Sequence, residues 1–152
     1  MLAHVFPTAV GFLDNIKPEF LTWLRMSPPY NPHAHHRNGM AKKAQWKISE
    51  QDERRSFAGA WDAGWHLESV AWGFHFVNGG LTYLGVVEDH ETKTFFAKFV
   101  RDPNHVAWHG YPANQRNPQD IPDLSVAQMW IDGKVLARAK IRKIIRMQPC
   151  RL

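Results

Sequence analysis

The chain of 152 residues contains a single cysteine, Cys150, and therefore has no partner for an internal disulfide. It also lacks an apolar run near the roughly 20 residues that a membrane-spanning helix needs. Its most apolar N-terminal stretch, residues 2–13, is interrupted by Pro7 and Gly11 and has no basic leader. These absences exclude a disulfide-stapled scaffold. They predict a cytoplasmic protein in a reducing compartment, with no signal peptide and no membrane contact.

Several motifs of nucleotide-dependent and hydrolytic enzymes are missing. No glycine-rich loop ends in Lys-Ser/Thr, no GxGxxG follows a strand, and no GxSxG is present. The histidines His33, His35 and His36 cluster on a segment without paired cysteines, and their spacing is not that of the ordered ligand pairs of a structural zinc site. The sequence therefore predicts no metal and no cofactor.

Acidic residues are absent from the last 19 positions. Residues 134–152 carry seven basic side chains, whereas residues 1–133 carry twelve basic and fourteen acidic ones. The basic residues of this C-terminal segment are Lys134, Arg138, Lys140, Arg142, Lys143, Arg146 and Arg151. Charge segregated in this way is typical of a surface that meets phosphate groups or an acidic protein.

The chain has ample material for a core. Apolar residues make up 44% of it, with seven Trp and nine Phe, and a chain of this length buries most of its apolar surface in one domain. Helical and strand patterns occur in separate stretches. We therefore expect a single α+β domain over residues 1–152, with N-terminal helices, an antiparallel sheet and one or two C-terminal helices.

Two helices are predicted before the sheet. Apolar residues at helical spacing predict the first over about residues 16–26. Residues 27–47 hold tandem prolines and an Asn-Gly pair, which predicts a long loop. Ser49, followed by acids in the next turn, caps a second helix that is expected to end near Leu67.

Alternating residues then predict an antiparallel meander of three or four strands. Asn78-Gly79-Gly80 is typical of a hairpin turn between the first two strands. Residues 94–101 and 106–111 supply the third and fourth strands.

The C-terminal part is expected to be helical. Asp123 caps a helix over residues 124–132, with Gly133 as its left-handed terminator. The alternative is a hairpin whose turn is Asp132-Gly133. Residues 137–147 form an amphipathic helix with a basic stripe, and a strand here would also present its cations on one side.

These cations lead to the first functional prediction, a small intracellular protein that binds DNA or RNA. The predicted loop over residues 27–47 is also free of acids, and aromatic residues lie between its cations. This pattern supports nucleic-acid binding, because cations contact phosphates and aromatic rings stack on exposed bases. The predicted contacts are Arg37, Lys42, Lys43, Trp46 and Lys47 in the loop and Arg138, Lys140, Arg142, Lys143 and Arg146 in the C-terminal segment.

Two alternatives remain open. His109 and Tyr111 at a strand end, with Arg101 to stabilise a phosphate, are candidate catalytic residues of a metal-independent, toxin-like ribonuclease. The second alternative is an inhibitor or immunity-type protein. Its basic face would dock on an acidic protein partner, with Trp46 or Trp130 as exposed aromatic anchors.

Overall fold

The computed structural model describes residues 27–104 and 106–152, and within them the chain is a mixed α+β fold, as predicted. The predicted helix over residues 16–26 lies outside the described residues. The described helices are α1 (Glu50–Asp62), α2 (Leu124–Asp132) and α3 (Arg138–Ile145). The described strands are β1 (Gln45–Trp46), β2 (Val70–Val77), β3 (Gly80–Thr82), β4 (Gly85–Val86), β5 (Lys93–Thr94), β6 (Phe96–Arg101) and β7 (Trp108–Pro112).

Helix α1 begins where its sequence predicts. The Ser49 hydroxyl accepts the backbone N–H of Asp52 at 3.1 Å, and three acids occupy the first turn, where the helix dipole favours negative charge. The helix ends five residues before the predicted Leu67. Gly64 adopts a left-handed φ of +76°, which closes the helix because glycine enters this region without steric penalty.

The main sheet has four antiparallel strands in the order β3-β2-β6-β7. The predicted hairpin joins β2 to β3, and its turn has two residues: Asn78 and Gly79 both have positive φ, 50° and 77°. The strand order differs from a simple meander, because β6 pairs with β2 rather than with β3. The intervening residues leave this sheet to build a second one.

The second sheet has the order β1-β4-β5 and was not predicted. Its first strand lies at the end of the segment expected to be a loop, so residues 27–47 are partly ordered by strand pairing. Gly85 allows β4 to lie close to β1 and β7, because a Cβ at this position would lie 2.4 Å from the carbonyl oxygen of Gln45 and 2.5 Å from Cγ of Pro112.

Apolar side chains fill both faces of the main sheet. Because successive strand residues point to opposite sides, Ala71 packs with Phe57 of α1, whereas Trp72 packs with Trp130 of α2. The helices thus cover different faces of the sheet. The face towards α2 and α3 will be called the α2/α3 face.

The C-terminal helices confirm the helical prediction and exclude the hairpin alternative. Asp123 caps α2 by accepting the Ser125 N–H at 2.9 Å. The predicted left-handed role of Gly133 was wrong, because Gly133 has φ −79° and the next residue, Lys134, has φ 53°. Among the described helices, none is long and apolar enough to cross a bilayer.

Candidate nucleic-acid interface

Helix α3 presents a one-sided basic surface. Ile141 and Ile144 are buried in the core, and these anchors turn the opposite side of the helix towards solvent. That side carries the exposed cations Arg138, Arg142, Lys143 and Arg146, with Lys140 partly exposed beside them. In residues 27–104 and 106–152, the only ion pairs are Arg37–Glu53 and Arg55–Asp52. The α3 cations therefore keep their charge uncompensated by any described acid.

Of the predicted loop contacts, Lys42, Lys43 and Lys47 are exposed. The other two serve the fold. Arg37 donates from Nε to Oε2 of the buried Glu53 at 2.9 Å and from Nη1 to the carbonyl of Ile48.

Trp46 is also structural. Its ring is 5% exposed, and its indole N–H donates to the carbonyl of Gly110 at 3.1 Å. It therefore offers no face for stacking on a base. Trp130 is fully buried as well, so neither aromatic anchor expected for a protein partner reaches the surface.

An acidic turn lies between the loop and the C-terminal segment. His90 in this turn contacts the carbonyl of Lys43 at 2.8 Å. Its acids, Glu88, Asp89 and Glu91, line a cleft of about 490 Å³ whose far wall is residues 147–151. The basic loop and the basic C-terminal segment are thus separated by negative charge.

His109 and Tyr111 lie two residues apart on β7 and therefore point to the same face of the sheet. That face is the α2/α3 face, because His109 pairs with Val100, Val100 pairs with Val70, and Val70 packs against the core on the α2/α3 side. Arg101 does not join them. It pairs with Trp108, which points to the α1 face, so the register puts Arg101 on the face opposite His109 and Tyr111.

Tyr111 is engaged in a buried polar network. Its hydroxyl donates to Oδ1 of Asp120 at 2.9 Å, and Oδ2 of Asp120 accepts the backbone N–H of Asn114 at 2.8 Å. Burial raises the pKa of Tyr111, and the Asp120 carboxylate raises it further. This tyrosine orders the loop after β7 rather than exchanging protons near neutral pH.

The loop histidines lie against the same two β7 residues. The His33 ring is 5.5 Å from that of His109, and the His36 ring stacks on Tyr111 at 5.3 Å and 25°. Tyr30 brings them there by forming a parallel bridge to Trp108, the first residue of β7. Nothing in a linear pattern signals this bridge, so the sequence alone gives no sign that the loop histidines lie next to His109.

The histidines differ in their electrostatic surroundings. Burial lowers the pKa of His109, and the neighbouring His33 lowers it further, while Asp102 opposes both effects. Burial also lowers the pKa of His36, whose Nδ1–H donates to the carbonyl of Ala44 at 2.8 Å. In the part of the chain that the structure describes, no three potential ligands are arranged to hold a metal ion.

Comparisons with protein-family models, with curated proteins and with solved structures find no match to this chain. Function is therefore inferred from the chemistry of these residues alone.

Proposed function

We propose that this protein binds nucleic acid, DNA or RNA, through the basic face of α3. The observation that carries the proposal is the row Arg138, Arg142 and Arg146, which repeats at i, i+4 and i+8 beside Lys143 on an exposed helix face. Phosphates along a nucleic-acid strand are the partner best suited to such a row, because each cation replaces condensed counterions. The exposed lysines of residues 42–47 are a second, separate contact.

The expected salt dependence follows from the number of contacts. If these four α3 cations each neutralise one phosphate, log Kd changes with log salt with a slope of about 3 for a single strand and about 3.6 for a duplex. A fourfold rise in salt should therefore weaken binding by about two orders of magnitude, roughly 60-fold for a single strand and 150-fold for a duplex.

The test is fluorescence anisotropy with labelled single-stranded RNA, single-stranded DNA and duplex DNA over a salt series. Arg142→Gln should lower the slope by about 0.7 to 0.9 and weaken binding on all sequences alike. The matched control is Arg55→Gln, which removes the same charge from an exposed position on α1. Salt-insensitive binding, no binding at low salt, or equal effects of the two substitutions would overturn the proposal.

A further inference from the structure

Four imidazole rings from two distant parts of the chain meet beside β7. His33 lies at the centre, with ring distances of 4.5 Å to His35, 5.9 Å to His36 and 5.5 Å to His109. The loop residues are fixed there by the 3-10 turn Ala34–His36 and by β-bridge pairing next to β7.

Two of these rings form an accessible pair. His33 is exposed and His109 half-buried, whereas His36 is occupied by the carbonyl of Ala44 and the Tyr111 ring. The ring centroids are 5.5 Å apart, which is short enough for one imidazole to reach a ribose 2′-hydroxyl while the other reaches the 5′-oxygen of the adjacent phosphodiester.

The pair also has distinct surroundings. Burial and the adjacent His33 favour neutral His109, the form that accepts a proton at neutral pH. In the neutral ring, His33 Nδ1 accepts the N–H of His35 over a long, exposed 3.3 Å contact. The ring gives up this contact when Nδ1 takes up a proton, and Nε2 is then the nitrogen that can donate to an outside group. Other titratable groups acting here are Asp102 on His109 and Lys43 on His36. Two neighbouring imidazoles in unequal environments are suited to opposite proton-transfer roles.

The geometry points to a metal-independent RNA-cleaving site at His109 and His33, an inference that rests on the proposed function only in taking nucleic acid as the substrate. His109 removes the proton of a ribose 2′-hydroxyl. The 2′-oxygen bonds to the adjacent phosphorus, the bond from phosphorus to the 5′-oxygen breaks, and His33, acting as the general acid, gives a proton to that oxygen. The products are a 2′,3′-cyclic phosphate and a 5′-hydroxyl, and solvent returns both rings to their starting states.

This assignment differs from the one made from sequence. His33 takes the place of Tyr111, whose hydroxyl donates to Asp120, and Arg101 has no part because it lies on the other face. Tyr111 contacts the cluster through its ring, which stacks on His36.

The test uses the full chain in excess EDTA with a labelled oligodeoxynucleotide that contains one ribonucleotide. We expect cleavage at the ribonucleotide alone, a cyclic phosphate product, and a bell-shaped pH profile. His33→Ala and His109→Ala should each slow cleavage at least a hundredfold. His75→Ala, which removes a histidine of β2 that belongs to neither basic surface, should leave the rate unchanged.

Folding and binding are measured on the same proteins. His33→Gln and His109→Gln are used where an alanine variant has a lowered unfolding midpoint, since Gln keeps the size of the side chain but not its titration. Absence of cleavage by the wild-type chain, or equal rates in wild type and folded histidine variants, would overturn the cleavage site. Salt-dependent binding of the all-DNA analogue reports separately on the basic face of α3. Failure of the cleavage proposal and failure of the binding proposal can therefore be told apart.

Discussion

Removing the Arg37 guanidinium should destabilise the fold strongly while leaving the α3 surface intact. Its partner Glu53 is completely buried on the inner side of α1. Oε1 of Glu53 accepts the Tyr30 hydroxyl at 2.6 Å, and Oε2 accepts Arg37 Nη2 at 2.5 Å. In Arg37→Met, the carboxylate stays buried without a counter-charge.

The magnitude follows from the burial of the pair. Breaking a buried ion pair by removing one partner costs about 3–5 kcal/mol. The Arg37 side chain is 20% exposed, so the lower end applies and we expect about 3 kcal/mol at neutral pH. With a urea dependence of about 2 kcal/mol per M, the unfolding midpoint should fall by roughly 1.5 M. Tryptophan fluorescence is a suitable probe because Trp46 and Trp108 are buried.

The loss should also depend on pH. Burial already raises the pKa of Glu53 in the native protein, and removal of Arg37 raises it further. A carboxyl whose folded pKa exceeds its unfolded value contributes stability that is present at low pH and lost as pH rises through the folded pKa. The difference between wild type and Arg37→Met should therefore be larger at pH 8 than at pH 5.

The control is Arg55→Met, which breaks the exposed 3.4 Å pair with Asp52 and should cost less than about 1 kcal/mol. A midpoint for Arg37→Met close to that of wild type, or a loss that is the same at pH 5 and pH 8, would refute this reasoning. If Arg37→Met weakened nucleic-acid binding while its unfolding midpoint stayed close to that of wild type, Arg37 would be a residue of the nucleic-acid interface.

Two further pairs of substitutions test packing by urea unfolding. Gly85→Ala should lower the free energy of unfolding by about 1–3 kcal/mol, because the new Cβ would lie within 2.5 Å of neighbouring atoms. Gly59→Ala in α1 should raise it by about 0.5–1 kcal/mol, because a Cβ there meets no atom within 4 Å. A stabilised Gly85→Ala variant would contradict the tight approach of β1 and β4. Trp72 donates its indole N–H to the carbonyl of Asp120 at 2.9 Å, whereas the buried indole N–H of Trp130 has no partner among the described residues. Trp72→Phe should therefore be more destabilising than Trp130→Phe by about 1–3 kcal/mol, and the reverse order would show that the Trp130 N–H is satisfied in solution.

Local signals in the sequence were sufficient where one short segment determines its own structure. Ser49 with its following acids predicts the start of α1, and Asn78-Gly79 predicts the hairpin, because caps and two-residue turns depend on a few adjacent residues. The stripe of Ile141 and Ile144 likewise predicts which side of α3 is buried.

Features that depend on pairing distant segments were missed. Strands β1 and β4 have two residues each, too few to show a period, so the second sheet left no pattern. Arg37 looked like a surface cation because the inward position of Glu53 is set by packing against the rest of the fold. The proximity of His33 and His109 depends on a single bridge at Tyr30.

The two faces of the main sheet differ in when their residues leave the ribosome. The core on the α1 side uses buried residues from Tyr30 to Trp108, whereas the core on the other side also needs Val126, Trp130 and the two isoleucines of α3. Because a domain folds as a unit, Trp72, Phe74 and Phe96 have no cover until α2 and α3 have been synthesised. The nascent chain therefore exposes an aromatic surface to chaperones and to aggregation until its last basic helix is made.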